Sequence, residues 1–284
     1  MKRALQANWK VLQLAAPELR DSAEIVLLAI RKDGRALEFA SQRLRGSRNI
    51  VYQAVRKDGS VLRLASAELR DSRSIVMASV RSYGLALQYA SDALRDDACI
   101  VCEAVQQDWR AFEHASARLR GDMTLAVQAA IADWRAFQHA TLKLRGNKEL
   151  VLELMSHSCE LLRFASHEIR SDRMVMARAI SQNGCALRFA SEALKADRML
   201  VLQAVRRDWQ ALRFASESLC RDVAVVEAAA QQNQLALELA HEECQILFGI
   251  GGDSCCDSSS RLVHAALPLA AGGRRLSCPT AAPA

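Results

Sequence analysis

The sequence carries no recognisable catalytic signature. It has no nucleophile elbow, no paired-carboxylate motif, no zinc-protease histidine pair and no glycine fingerprint for a nucleotide. Serine recurs at one register position in unit after unit, which reads as helix capping rather than as one activated nucleophile. We therefore expect a non-enzymatic protein with no cofactor. A disulfide framework is also missing: nine cysteines are scattered over 284 residues without regular spacing. No secretory signal opens the chain, since Gln6, Asn8, Trp9, Lys10 and Gln13 interrupt its first apolar stretch. A reducing compartment follows, the cytoplasm by default with the nucleus as the alternative. No run approaches the roughly 18 apolar residues of a membrane helix, so no membrane role is expected. Charge is nearly balanced, with 38 basic against 32 acidic residues and a formal +6, too modest to dictate a nucleic-acid partner. What is abundant is apolar residue, 51% of the chain, enough to fill a sizeable core.

That apolar content is periodic. Trp9, Gly34, Gly59, Gly84, Trp109, Trp134, Cys159, Gly184, Trp209 and Gln234 fall at intervals of 25 residues without insertion or deletion. Taking these as position one defines ten units, and self-similarity at such a period is the mark of stacked supersecondary elements. Position seven is alanine in every unit, from Ala15 to Ala240, which implies close backbone approach between units. Position four is Leu or Phe throughout, and position eleven is Leu or Ile until Cys244. These are core positions.

Polar positions divide each unit into three segments. Position fourteen is Ser22, Ser47, Ser72, Asp97, Asp122, Asn147, Asp172, Asp197 or Asp222, the residue set favoured at helix N-caps. A helix of about three turns follows, with apolar residues such as Ile50, Val51, Ala54 and Val55 on one stripe. Position twenty-five, mostly Asp or Asn, caps a second and shorter helix holding positions three, four and seven, and glycine at position one eases the reversal. Position eight is Ser or Thr in most units, and a further turn starts at position nine. At four residues it reads as one turn of 3₁₀ helix. The fold class is therefore all-α: an α-solenoid of long helix, short helix and 3₁₀-like turn over residues 1–247. Residues 248–284, which hold five of the twelve glycines and three of the four prolines, read as a disordered tail.

Segments such as IVYQAVRKDGSVLRLASAELRDSRSIVMASVRSYGLALQYASDALRDD resemble the repeats of the domain of unknown function 4116 family. Cap, apolar and glycine positions agree with that family's units in register over about residues 4–244. The departures are Trp or Cys in place of several glycines and two histidines at position six. The resemblance implies a helical repeat, and it brings no activity and no catalytic residues. Alternation of α-helices with a 3₁₀-like turn is similar at fold level to leucine-rich-variant repeats.

Four features could bind something. Position one is glycine in four units and tryptophan in four, a volume change that a packed interior would not absorb. The slot is accordingly expected to be open, with Trp109, Trp134 and Trp209 as partner-binding anchors. The competing reading folds each indole onto its own unit as partial cover. His114 and His139 at position six lack the further ligands that a zinc site needs and read as packed side chains. Cys99 and Cys102 share a helix face but have no second pair, and read as reduced core cysteines. Cys255 and Cys256 have no partner pattern.

The fourth feature is a basic row at position twelve: Arg20, Arg45, Arg70, Arg95, Arg120, Arg145, Arg170 and Lys195, ending at Cys220. Lesser stripes add Arg31, Arg56 and Arg81 at position twenty-three and Arg163, Arg188 and Arg213 at position five. Such rows could track a phosphate backbone or an acidic peptide. Their structural alternative is to satisfy turn carbonyls and to pair with neighbouring cap carboxylates. The sequence thus points to a scaffold that binds a protein or peptide, with nucleic-acid or acidic-ligand binding along the arginines as the alternative.

Overall fold

The computed structural model describes residues 2–248, and the expected tail lies outside the described residues. Every described element is helical, and the 25-residue period appears as an unbroken order of 3₁₀ helix, short α-helix and long α-helix. Unit two is representative: Gly34–Phe39, Gln42–Arg45 and Arg48–Lys57.

The long helix forms where its sequence predicts. Its N-cap residue is extended in all nine instances, but only Asp97, Asp122, Asn147, Asp172, Asp197 and Asp222 accept a hydrogen bond from the first turn. Ser22, Ser47 and Ser72 adopt the backbone shape without that bond. The stripe Ile50, Val51, Ala54 and Val55 is buried as expected. Ser72→Asp should therefore add a cap bond and a partner for Arg48, copying the pair between Arg73 and Asp97 at 2.9 Å. We expect a gain of about 0.5 to 1 kcal/mol, read as a higher urea midpoint.

The two shorter segments exchange the conformations expected of them. Positions one to six form the 3₁₀ helix, and positions nine to twelve close as one α-turn, as in Arg45 N–H to the Ser41 carbonyl at 3.0 Å. The reason lies in the spacing of buried groups. Gly34, Leu37 and Ala40 are buried three residues apart, and a period of three puts them on one face only in a 3₁₀ helix. The Asp33 carboxylate starts the turn by accepting from Arg35 N–H at 2.9 Å. Ala40 is not inside a helix at all but is the extended C-cap, its N–H bonded to Leu37 O at 3.1 Å.

Units are joined by a backbone ladder. The position-eight N–H of each unit donates to the position-twelve carbonyl of the one before it: Ser41 to Arg20 at 3.1 Å, Ser116 to Arg95 at 3.0 Å, Ser216 to Lys195 at 2.9 Å, and so along the array to His241 and Cys220. This contact satisfies a carbonyl that the short α-turn leaves open. Beneath it one apolar core runs from Leu5 to Cys244, so each unit completes its neighbour's interior.

Candidate binding surfaces

Position one does not form an open slot. Gly34, Gly59, Gly84 and Gly184 are buried, and a β-carbon at Gly84 would stand 2.5 Å from the Ala104 carbonyl oxygen. In the tryptophan units the indole leaves position one toward the following unit. Trp9 lies against Phe39 with ring centroids 6.0 Å apart, and Trp134 stacks on Phe164 at 5.7 Å and 24°. Each indole thus covers position six of the following unit rather than its own. Trp109 carries the Arg135 guanidinium 5.1 Å above its ring. The Trp209 backbone N–H is held by Gln232 Oε1 at 3.0 Å. All four indoles are half-buried.

Position six therefore forms a partly exposed row along one edge, through Phe39, Leu64, Tyr89, His114, His139, Phe164 and Phe214. Within it burial lowers the proton affinity of His114 and His139, with Glu113 opposing this and Arg95 and Arg120 acting in the same direction as burial. No group of three or more metal-capable side chains converges among the described residues. An unfolded imidazole titrates near about pH 6.5. Because the folded imidazoles hold protons less tightly, the unfolded chain is protonated first as pH falls. The stability they contribute is complete above that value and is lost as pH drops through the folded one. Thermal unfolding followed from about pH 7.5 down to about pH 5 should show this loss, and the His114→Phe, His139→Phe double variant should flatten it.

Cys99 lies outside the core, and Cys102 only packs against its border. On the helix Ala98–Gln107 Cys99 is exposed and Cys102 is half-buried beside the stripe Ile100, Val101, Ala104 and Val105. The Cys102 thiol meets Gln128 Oε1 at 3.3 Å. Cys255 and Cys256 lie outside the described residues.

The position-twelve row exists, half-buried from Arg20 to Lys195. Its side chains lie over the end of the 3₁₀ turn. Arg45 donates from Nε to Ala40 O at 3.1 Å and from Nη2 to Glu38 O at 2.5 Å. Arg145 reaches across to Phe164 O at 3.3 Å. The expected satisfaction of turn carbonyls is thus present in two units, but pairing with cap carboxylates is not. Those acids are taken by a row that sequence reading missed, at position fifteen of the preceding unit: Arg73 to Asp97, Lys148 to Asp172 at 2.6 Å, Arg173 to Asp197 at 2.8 Å and Arg198 to Asp222 at 2.5 Å. A second missed cluster joins Asp21 to Ser41 and Arg43, and Asp96 to Ser116 and Arg118, one unit apart. These hydrogen bonds from Ser and Arg hold both carboxyls below the usual range. The signal for both was in the sequence, as rows of opposite charge offset by 24 and 22 residues.

Of the lesser stripes, Arg81 pairs with Glu103 at 2.9 Å and Arg188 pairs with Glu160. A shallow groove of about 460 Å³ lies between Lys148, Leu152, Met174 and Arg178, and Lys148 is already engaged by Asp172. No helix among the described residues is long and apolar enough to cross a membrane.

Stacked units of one architecture, one continuous core and a unit-to-unit backbone ladder define a tandem-repeat α-solenoid. A family profile described as a domain of unknown function (DUF4116) matches residues 1–45, 22–70, 47–95, 72–120, 147–195 and 197–245. The chain belongs to that family. Residues 121–146, which include Trp134 and His139, fall in none of those windows. No curated protein and no solved structure matches the chain.

Proposed function

We propose that this protein is a non-catalytic scaffold that binds another protein along the edge where position-one tryptophans meet position six. The observation that supports this reading is the half-buried indole row, above all Trp134 stacked on Phe164 at 5.7 Å with Trp109 in the preceding unit. A rigid, partly covered aromatic surface loses little side-chain entropy on binding, and Trp is the residue most enriched at interface hot spots. A solenoid repeats that surface at a fixed interval, which suits an elongated partner. Trp209 extends the same row three units further on.

The test is affinity capture from nuclease-treated lysate with the intact chain and with the Trp109→Ala, Trp134→Ala double variant, both checked for helicity. A partner protein held by the first and released by the second is the expected result. Recovery of nucleic acid that ignores the tryptophans and falls steeply with salt would overturn it.

A further inference from the structure

The cations of this molecule are not equally engaged. At positions two, ten and fifteen, arginines and lysines sit against carboxylates, as in Arg135 with Asp133 at 2.6 Å, Arg118 with Asp96 at 3.0 Å and Arg173 with Asp197 at 2.8 Å. Position twelve differs. Arg95 and Lys195 touch only the exposed Asp92 and Glu192 beside them. Arg20, Arg45, Arg70, Arg120, Arg145 and Arg170 have no carboxylate partner among the described residues. A charge without a carboxylate partner is thus repeated in register from unit to unit, half-buried at the end of the 3₁₀ turn, whereas other cations without one, such as Arg31, Arg56 and Arg163, are exposed.

The geometry of these side chains restricts what they can hold. In Arg20, Arg70, Arg120, Arg145 and Arg170 the Nε atom is buried and has no hydrogen-bond partner. In Arg20, Arg70, Arg120 and Arg170 the terminal Nη pair is left to meet a ligand, the end-on fork that grips a carboxylate through two parallel N–H donors, while Arg145 already gives Nη1 to the Phe164 carbonyl and keeps Nη2. Burial of the stem also fixes the guanidinium before any ligand arrives, lowering the entropy lost on binding. The row borders position six: Arg145 Nη1 lies 3.3 Å from the Phe164 carbonyl, and Phe164 is the ring on which Trp134 stacks.

We infer that this edge is a site for an extended acidic peptide, its carboxylates gripped by successive position-twelve arginines while apolar side chains between them rest on the position-six row. The inference rests on the scaffold reading above and names the chemistry of its partner. Spacing favours peptide over nucleic acid. Stacked helices repeat at about 8 to 10 Å, so the row offers one fork per that distance. An extended chain in the polyproline II conformation advances about 3.1 Å per residue and turns once in three residues, so every third side chain returns to one face and meets a fork. Duplex DNA presents one charge per about 1.7 Å and would leave most of its phosphates unmatched by such a row.

The experiment uses the full chain and a fluorescein-labelled synthetic peptide of repeating Glu-Leu-Gly, with anisotropy as the readout. Its controls are a peptide of the same composition with all glutamates in one block, and a labelled oligothymidylate. The variant is Arg120→Gln with Arg145→Gln, a change the fold tolerates in kind because Gln245 at position twelve of the last unit donates to Ala240 O at 3.0 Å. The spaced peptide is expected to bind, with the block peptide and the double variant each about tenfold weaker. Equal binding of the two peptides, preference for the oligonucleotide, or binding unchanged in the variant would each overturn the inference. Tryptophan-dependent capture of a partner without any binding of the spaced peptide would leave the scaffold standing and remove only the acidic peptide.

Discussion

Phe112→Ala is expected to cost about 3 to 5 kcal/mol, among the largest losses available to a single substitution in this chain. Phe112 is fully buried at position four, in the middle of the array, where its ring belongs to the core shared with the neighbouring units. Removing it deletes apolar contact and leaves a cavity that rigid turns on both sides are poorly placed to close. Phe112→Leu restores the residue most other units carry there and should cost less than about 1.5 kcal/mol. Because each unit contacts only its neighbours, the damage should be regional. Denaturant unfolding of the alanine variant should split into two steps, with amide exchange fastest in the helices Ala98–Gln107 and Met123–Ala132. A single transition with an unchanged midpoint would mean that units buffer one another far more than nearest-neighbour stacking allows.

Gly84→Ala should cost about 2 to 3 kcal/mol, although it adds only a methyl group. The new carbon would stand 2.5 Å from Ala104 O and 3.1 Å from both Asp108 N and Gln107 Cβ. Two of those three atoms are backbone, and no side-chain rotation relieves the contact. Units that carry tryptophan at this position already hold a β-carbon, so their turn and long helix must stand further apart. Trp109→Ala should accordingly lose only the half-buried indole contact and keep the unit intact. Circular dichroism melts of the two alanine variants compare these directly, and a Gly84→Ala melt no lower than that of Trp109→Ala would refute the close approach.

The candidate surfaces were legible in part. The position-twelve arginines are visible as a row in the sequence, and the position-one tryptophans recur in four units. Their roles were not visible, because a role depends on what lies one unit away. The volume change from Gly84 to Trp109 predicts an open slot, whereas the glycine is buried and the indole leaves for the next unit. Likewise, the cap carboxylates could have paired with several rows of cations. Stacking chose position fifteen for Asp97, Asp172, Asp197 and Asp222, and this left position twelve without them.

By itself the sequence determined the period, the number of units, the long helix with its caps and buried stripe, and the all-helical class. Each is written in local chemistry: a cap residue, a spacing of apolar side chains, a run without breakers. Tertiary structure decided which short segment is 3₁₀ and which is α, where each indole lies, and which arginines remain unpaired. The physical reason is that a turn of four to six residues has too little local energy to choose its own geometry. The position-eight N–H to position-twelve carbonyl ladder and the shared core make that choice, and both exist only when one unit lies against the next.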